Sequence, residues 1–301
     1  MMSLINALPG AVAQGLIWGI MAIGVYLTFR ILDIADLTVD GSIGTGGAIC
    51  IMLMLSGQKV WVAMAGATAA GMAAGLATGI LHTFMGIPAI LAGILTQLGL
   101  YSINLKTMGK ANQAINVDKY DLLVSLRFIR KVPFYKNTIL IVAIAIILLI
   151  VVLYWFFGTE LGCSLRATGC NDKMARAQGI NTDFNRVLGL MISNGLVALS
   201  GAMLCQYQGF ADINMGRGAI VIGLAAVIIG EAIFGKVFRN FGFKLLAVAL
   251  GSIIYYLVLQ VVIWLGIDTD LLKLLSAGVV AVFLAIPTWK SRYFSNMGKR
   301  G

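Results

Sequence analysis

The chain has 301 residues, of which 60% are hydrophobic and only 11% charged, and its mean hydropathy is +0.95. That balance excludes an ordinary soluble domain, and the continuous apolar runs are unlike the short alternating segments of a β-barrel. The formal net charge of +10 fits loops lying against anionic lipid better than a nucleic-acid surface.

Nine apolar spans are predicted, at 11–29, 41–57, 60–81, 87–105, 138–157, 187–206, 219–235, 245–265 and 271–287. They make an all-α, polytopic membrane protein whose single transmembrane domain covers 1–301, since a helix of about 20 residues crosses about 30 Å of hydrocarbon. The opening MMSLINALPG lacks a basic n-region and reads as a short lead-in, not a cleaved signal peptide. In the first span Gly15 and Gly19 form a GxxxG pair, and in the third Gly71, Gly75 and Gly79 form a double one. Such spacing lets helices approach closely, within one subunit in the preferred reading and along a dimer seam in the other.

Between the first two spans, residues 30–47 alternate Asp33, Asp36 and Asp40 with Ile31, Leu32, Ile34, Leu37 and Val39, and a glycine-rich stretch follows. A solvated loop has little use for those apolar residues. The pattern predicts a broken helix that dips into the protein, where irregular backbone is tolerated only if protein or a water-filled cavity surrounds it. An acidic group at membrane depth costs about 2.5–3.5 kcal/mol, so it faces a partner or a pathway. Asp36, Thr38 and Asp40 are therefore candidate pathway residues, with Arg30 the expected partner of Asp33. An interfacial turn with solvated acids is the competing account.

Further along, Gln97 and Asn104 in the fourth span and Asn194 in the sixth either line a path or make interhelical hydrogen bonds. The polar stretch 206–218 contains Ala211-Asp212-Ile213, a faint echo of Ala35-Asp36-Leu37 that would suit an internal repeat. Asp212 joins the candidate pathway residues on that ground. Glu231, deep in an apolar run, is expected to pair with Lys236 or Arg239.

A polar island, 158–186, separates the fifth and sixth spans. Its punctuation predicts a helix interrupted at Gly169, then a second, short helix. Asn171 is its N-cap, Asp172 favours its positive end, and Gly179 closes it in a left-handed C-cap. Met174, Ala175 and Ile180 are expected to form a small apolar knob ringed by Arg166, Lys173 and Arg176, a feature that suits docking of a soluble partner.

Other signals carry no chemistry. Residues 230–237, GEAIFGKV, match the phosphate loop GxxxxGK but place Val237 where magnesium needs a hydroxyl, and a helix precedes them in place of a strand. His82, the sole histidine, has no ligand cluster around it, and no metal site is expected. The four cysteines are scattered and read as reduced structural residues. No nucleophile elbow, HExxH motif or paired catalytic carboxylate is present, so no enzyme activity is expected.

The island and its flanks resemble the permease subunits of ATP-binding-cassette (ABC) importers, specifically the branched-chain amino-acid family and its sugar-importing relatives. The matching residues are Gly162-x-x-Leu165-Arg166-Ala167, Asn171-Asp172-x-Met174-Ala175 and Gly179-Ile180-Asn181-Thr182; residues 15–47 line up with the family's first spans. Here Asp36-Leu37-Thr38-Val39-Asp40-Gly41 replaces the Asn-Phe-Ala-His-Gly pattern of branched-chain permeases, which resembles a branch associated with tryptophan or tyrosine uptake. The resemblance implies a type II importer-like fold in a bacterial cell membrane. It assigns Arg166, Asn171, Asp172, Met174, Ala175, Gly179 and Ile180 to coupling with cytoplasmic ATPase subunits, which bind the ATP and magnesium; this chain holds no cofactor. A second permease copy and an extracellular substrate-binding protein are the other implied partners beside the lipid bilayer. Basic residues divide nearly evenly between the two sides, so a cytoplasmic C-terminus follows from the resemblance, not from charge. The rival reading is a secondary transporter driven by an ion gradient, with Asp36 and Asp40 as ion ligands.

Overall fold

A computed structural model describes residues 2–116, 120, 122–126, 137–238, 240–265 and scattered positions between 271 and 285. Within residues 2–265 the described residues form ten α-helices in order, α1 (Met2–Tyr26), α2 (Val39–Leu55), α3 (Val60–Thr83), α4 (Ala89–Met108), α5 (Thr138–Phe157), α6 (Glu160–Cys170), α7 (Asp172–Ala177), α8 (Thr182–Gln208), α9 (Ala219–Phe234) and α10 (Phe241–Trp264). A π-helical turn, Leu27–Ile31, prolongs α1, and strands β1 (Asn112–Ala114) and β2 (Phe210–Asp212) pair antiparallel.

The chain is therefore a polytopic helical membrane protein. Among the described residues six helices are long and apolar enough to span a bilayer, and α2 and α9 are shorter apolar helices. These eight correspond to the first eight predicted spans. The ninth, 271–287, lies mostly outside the described residues, as do the C-terminal tail and much of the 106–137 connection, so the count of nine stays an expectation.

Helix α8 is the axis of the assembly, because small residues let its neighbours reach its backbone. A Cβ on Gly75 would strike the Leu190 carbonyl, one on Gly71 the Asn194 carbonyl, and one on Gly79 would lie 3.0 Å from Val187 Cα. On another side of α8, a Cβ on Gly46 would meet the Ala198 carbonyl, and one on Gly201 the Ile43 carbonyl. Gly15 and Gly19 do the same for α1 on α10, at Ile253 and Ala249. Both GxxxG motifs thus serve contacts within the subunit. Lipid tails are as apolar as the side chains they replace, so contact of this closeness, and not burial alone, is what holds the helices.

Residues 30–47 form a broken helix, as predicted. The π turn ends with Leu32 N–H donating to Leu27 O at 3.0 Å and Ile34 N–H to Thr28 O at 2.9 Å, and Asp33 takes φ 57°. Helix α2 starts at Val39, fully buried, beside the middle of α8. The chain from Ala211 to Gly218 returns along α2: Ala211 and Met215 lie against Gly47, Ile213 against Gly44, and Gly216 against Asp40. α2 and α9 therefore meet at their N-termini inside the protein, and α9 runs on towards the end of α1.

Arg30 finds a partner other than the expected Asp33. Arg30 Nε lies 3.1 Å from Glu231 Oε1, because α9 ends where the π turn does. Among the described residues Glu231 does not pair with Lys236, and Arg239, its other expected partner, lies outside the described residues; Asp33 is not the partner of Arg30. Gly169 also behaves differently from its prediction. α6 continues through it to Cys170, and the missing Cβ clears the Ile31 carbonyl where α6 crosses the π turn.

Gly75→Leu is expected to force α3 off α8 and destabilise the purified protein by about 3 kcal/mol, the upper range for overpacking. Gly99, with nothing within 4 Å of its missing Cβ, is the control, and Gly99→Ala should leave the unfolding midpoint unchanged or raise it. Thermal unfolding in detergent compares the two.

Candidate functional site: a buried polar cluster and a braced short helix

Asp36 is 2% exposed and sits in the irregular segment before α2. Its Oδ1 accepts from Thr38 N–H at 2.9 Å and its Oδ2 from Asn194 Nδ2 at 2.6 Å. Asn194 is fully used: Nδ2 also donates to Leu190 O at 3.0 Å, and Oδ1 accepts from Ser42 Oγ at 2.6 Å. Thr38 then continues the cluster outwards. Its hydroxyl lies 2.7 Å from that of Thr78 on α3, which in turn donates to Thr96 Oγ1 on α4 at 2.9 Å. Five elements meet at this cluster, and every buried polar atom named here has a partner, as a site cut off from water demands.

Of the six candidate pathway residues, this cluster brings together Asp36, Thr38 and Asn194. Asp40 serves elsewhere, as a tertiary N-cap. Its Oδ2 accepts from Gly218 N–H at 3.0 Å and its Oδ1 from Ile220 N–H at 2.9 Å, so it satisfies the first turn of α9 while standing in the first turn of α2. Both helices present their positive ends to it. Gln97 is half-buried, its backbone 3.1 Å from where a Gly41 Cβ would lie, outside the hydrogen-bonded set. Asp212 belongs to β2, opposite Asn112, and accepts from Asn214 N–H at 2.7 Å. Asp36 and Asp212 thus both cap the amide two residues on, the local geometry behind the sequence echo. Ser42, Thr78 and Thr96 were not among the candidates. Threonines within apolar helical runs give no sign of their partners, because an i−4 carbonyl would satisfy each of them equally well.

The island folds nearly as predicted. Asn171 caps α7, its side chain accepting from Met174 N–H at 3.0 Å, and Gly179 (φ 82°) closes it, with Gly179 N–H donating to Arg176 O and Ile180 N–H to Ala175 O. The apolar knob is smaller than expected. Met174 is 63% exposed, but Ala175, at 3%, faces inwards and Ile180 is half-buried. Lys173 and Arg176 are exposed beside Met174, whereas Arg166 lies over the Phe241 ring at 5.7 Å and so joins α6 to α10.

Four charges brace α7 against the start of α8. Arg176 pairs with Asp183 at 2.7 Å and Asp172 at 3.5 Å, and Arg186 pairs with Asp172 at 3.3 Å and Asp183 at 3.7 Å. Exposed pairs contribute little singly, but this closed ring restrains both helices at once. Burial pushes the Asp172 carboxyl up, but the Thr182 hydroxyl and the Arg186 and Arg176 guanidiniums outweigh it and hold the group below its usual range. Asn185 Nδ2 donates to Thr168 Oγ1 at 2.9 Å, fastening α6 to the same end of α8. Among the described residues no group of three or more His, Cys, Asp or Glu stands close enough to hold a metal ion.

Because Asp172 has a depressed pKa, its contribution to stability is complete above its unfolded value near 3.8 and is lost as pH falls through the lower folded value. Asp172→Asn should therefore have a lower unfolding midpoint than the parent at pH 5–7, with the gap closing below about pH 4. For the buried cluster, Asn194→Leu leaves Asp36 Oδ2 and Ser42 without their partner and should cost about 2–3 kcal/mol at neutral pH.

The family described as "Branched-chain amino acid transport system / permease component" matches residues 8–290. The chain is 38% identical over 283 residues to the tyrosine transport system permease protein of Clostridioides difficile (strain R20291), covering 93% of this chain and 91% of that one. An uncharacterized protein of Rickettsia prowazekii (strain Madrid E) is 35% identical, over 93% of this chain and 97% of its own. The autoinducer 2 import system permease protein LsrC of Yersinia pestis (strain Pestoides F) is 31% identical over 64% of this chain and 54% of its own. No solved structure matches the chain. Spanning helices, a braced extramembrane helix and a match over nearly the whole length agree, and the chain belongs to the branched-chain amino-acid and sugar permease family of ABC transport systems.

Proposed function

We propose that this chain is the membrane subunit of an ATP-driven importer in a bacterial cell membrane and that its solute is an aromatic amino acid, tyrosine foremost. It works with a second permease subunit, identical or sister. Cytoplasmic ATPase subunits bind ATP and magnesium and seat α7 in a groove, while an extracellular binding protein delivers the solute; the C-terminus is cytoplasmic. The relative named as a tyrosine transport permease supports the solute.

One observation carries the mechanism: α7 is braced to the start of α8, and Asn194, midway along α8, holds Asp36. A 27-residue helix is about 40 Å long. It is stiff enough that a push on α7 reaches the break between the π turn and α2 without loss in a flexible linker. Closure of the ATPase pair tilts α8, and the segment 32–38 moves with Asn194. Spans on either side of that break rock between two packings, opening the path to each side in turn.

Met174→Glu should leave the unfolding midpoint unchanged, since the side chain is exposed, and yet lower solute uptake and stimulated ATPase activity more than tenfold. Gly179→Val strains a residue at φ 82° and should produce the same loss with a fall in stability of about 1–2 kcal/mol. Uptake and ATPase stimulation that persist in both variants at normal expression would show that α7 is not the docking element.

A further inference from the structure

Helix α5 ends and α10 begins at one level of the bundle, where the Phe157 ring lies 4.9 Å from that of Phe241. From this contact an open groove of about 500 Å³ runs inwards between the two helices, within the size range of small-molecule sites. Ile147 and Val151 of α5 and Leu246 of α10 line its deep part, and Tyr154, Asn240 and Phe243 its end near the margin. A helix rises about 10 Å from residue 147 to residue 154, and one leaflet has about 15 Å of hydrocarbon. The groove therefore follows about two thirds of a leaflet, on the side of the membrane that carries α6 and α7.

Its chemistry is one-ended. The deep part is apolar, while the marginal end gathers donors and positive charge. Gly242 admits the Tyr154 ring there, since a Cβ would lie 3.2 Å from that ring. Asn240 is exposed, and its side chain makes no capping bond to α10, so its amide can donate outwards. Lys244 stands one turn along α10 from Asn240, and Lys236 lies in the turn that leads into it; both are exposed. Residues 232–246 contain no acid, and Glu231 just before them is engaged by Arg30. Among the described residues neither lysine forms an ion pair. Lysine stems lie along apolar surface while their ammonium groups stay at the interface. The fitting occupant is apolar over about 10 Å and anionic at one end.

We propose that the α5–α10 groove is a binding site for an anionic phospholipid, with one acyl chain along Ile147, Val151 and Leu246 and the headgroup phosphate on Lys236, Lys244 and Asn240. A basic pocket between spanning helices suits such a headgroup. A zwitterionic lipid would set its own cation among the lysines, and a packed helix would leave them without a counter-charge. The groove between α2, α3 and α4, of similar size, has no charged residue in its lining and offers a headgroup nothing. Bound between α5 and α10, the lipid splints them beside the Phe241 ring on which Arg166 rests. This site depends neither on the solute nor on the ATPase partners.

The test is native mass spectrometry of the full chain, released from detergent with dioleoylphosphatidylglycerol or dioleoylphosphatidylcholine at equal concentration. The parent should retain the anionic lipid about fivefold more than the zwitterionic one. Replacing both lysines (K236Q with K244Q) should cut that preference to below about twofold, since the headgroup loses its counter-charges. Val151→Trp fills the groove from its exposed side and should lower retention of the anionic lipid about threefold, through lost room for the chain. Its unfolding midpoint without lipid should match the parent's, and only the parent's should rise with phosphatidylglycerol. Glycerol 3-phosphate, a headgroup without chains, should not displace the lipid. Equal retention of the two lipids by the parent, or a preference that survives the lysine replacements, overturns the site. Displacement by glycerol 3-phosphate makes it a site for free phosphate and overturns the lipid. A dimeric mass for the parent that becomes monomeric in V151W makes the groove a subunit seam and equally overturns it.

Discussion

The hydrogen bonds of Asn194 to Asp36, Ser42 and Leu190 tie the break between the first two spans to the centre of α8, and the surrounding architecture depends on that junction. A buried carboxylate with no cation beside it is stable only if donors surround it. Here a side-chain amide and the Thr38 backbone supply them, and both require that α8 come close. The glycines of α2 and α3 provide that approach. A Cβ at Gly71 would displace the helix at Asn194 itself, so the small residues and the polar cluster are two halves of one packing solution.

The second constraint is that irregular backbone inside an apolar protein must have its amides satisfied. Two segments break helical order here, 32–38 and 209–218, and they answer to each other. The first delivers Asp40 to the start of α2, and Asp40 caps the first amides of α9, which follow the second. Two positive helix ends converging on one carboxylate would repel without it. A residue that sequence pattern makes a pathway candidate is in this fold the clasp between two half-helices, while Asp36 is held by side chains from other helices. Chemically alike acids thus have different work, decided by what each one faces.

The short helix α7 depends on its neighbours for its stiffness. α7 is too short to be stable alone, since isolated helices of this length are marginal. Asn171 and Gly179 satisfy its ends, and the Asp172–Arg176–Asp183–Arg186 ring fastens it to α8. What it presents outwards is Met174 with two cations, an adaptable apolar contact with a charged rim. Arg166, stacked on Phe241, works on the inner side of the same region and holds α6 in place.

Much of this was legible in the chain itself. Apolar runs of spanning length determine helices whatever their neighbours, because a backbone in lipid has no other way to satisfy its amides. The caps Asn171 and Gly179 act within a few residues, and the alternation of Asp33, Asp36 and Asp40 with apolar residues marks a break that has to be buried. Partnerships across the sequence were not legible. Arg30 finds Glu231 because α9 happens to end beside the π turn, Gly169 continues a helix because another backbone crosses it, and Thr78 and Thr96 join Asp36 only once α3 and α4 are placed. Local signals state what each segment needs; which distant residue meets the need is set by helix packing, and that is a property of the tertiary structure alone.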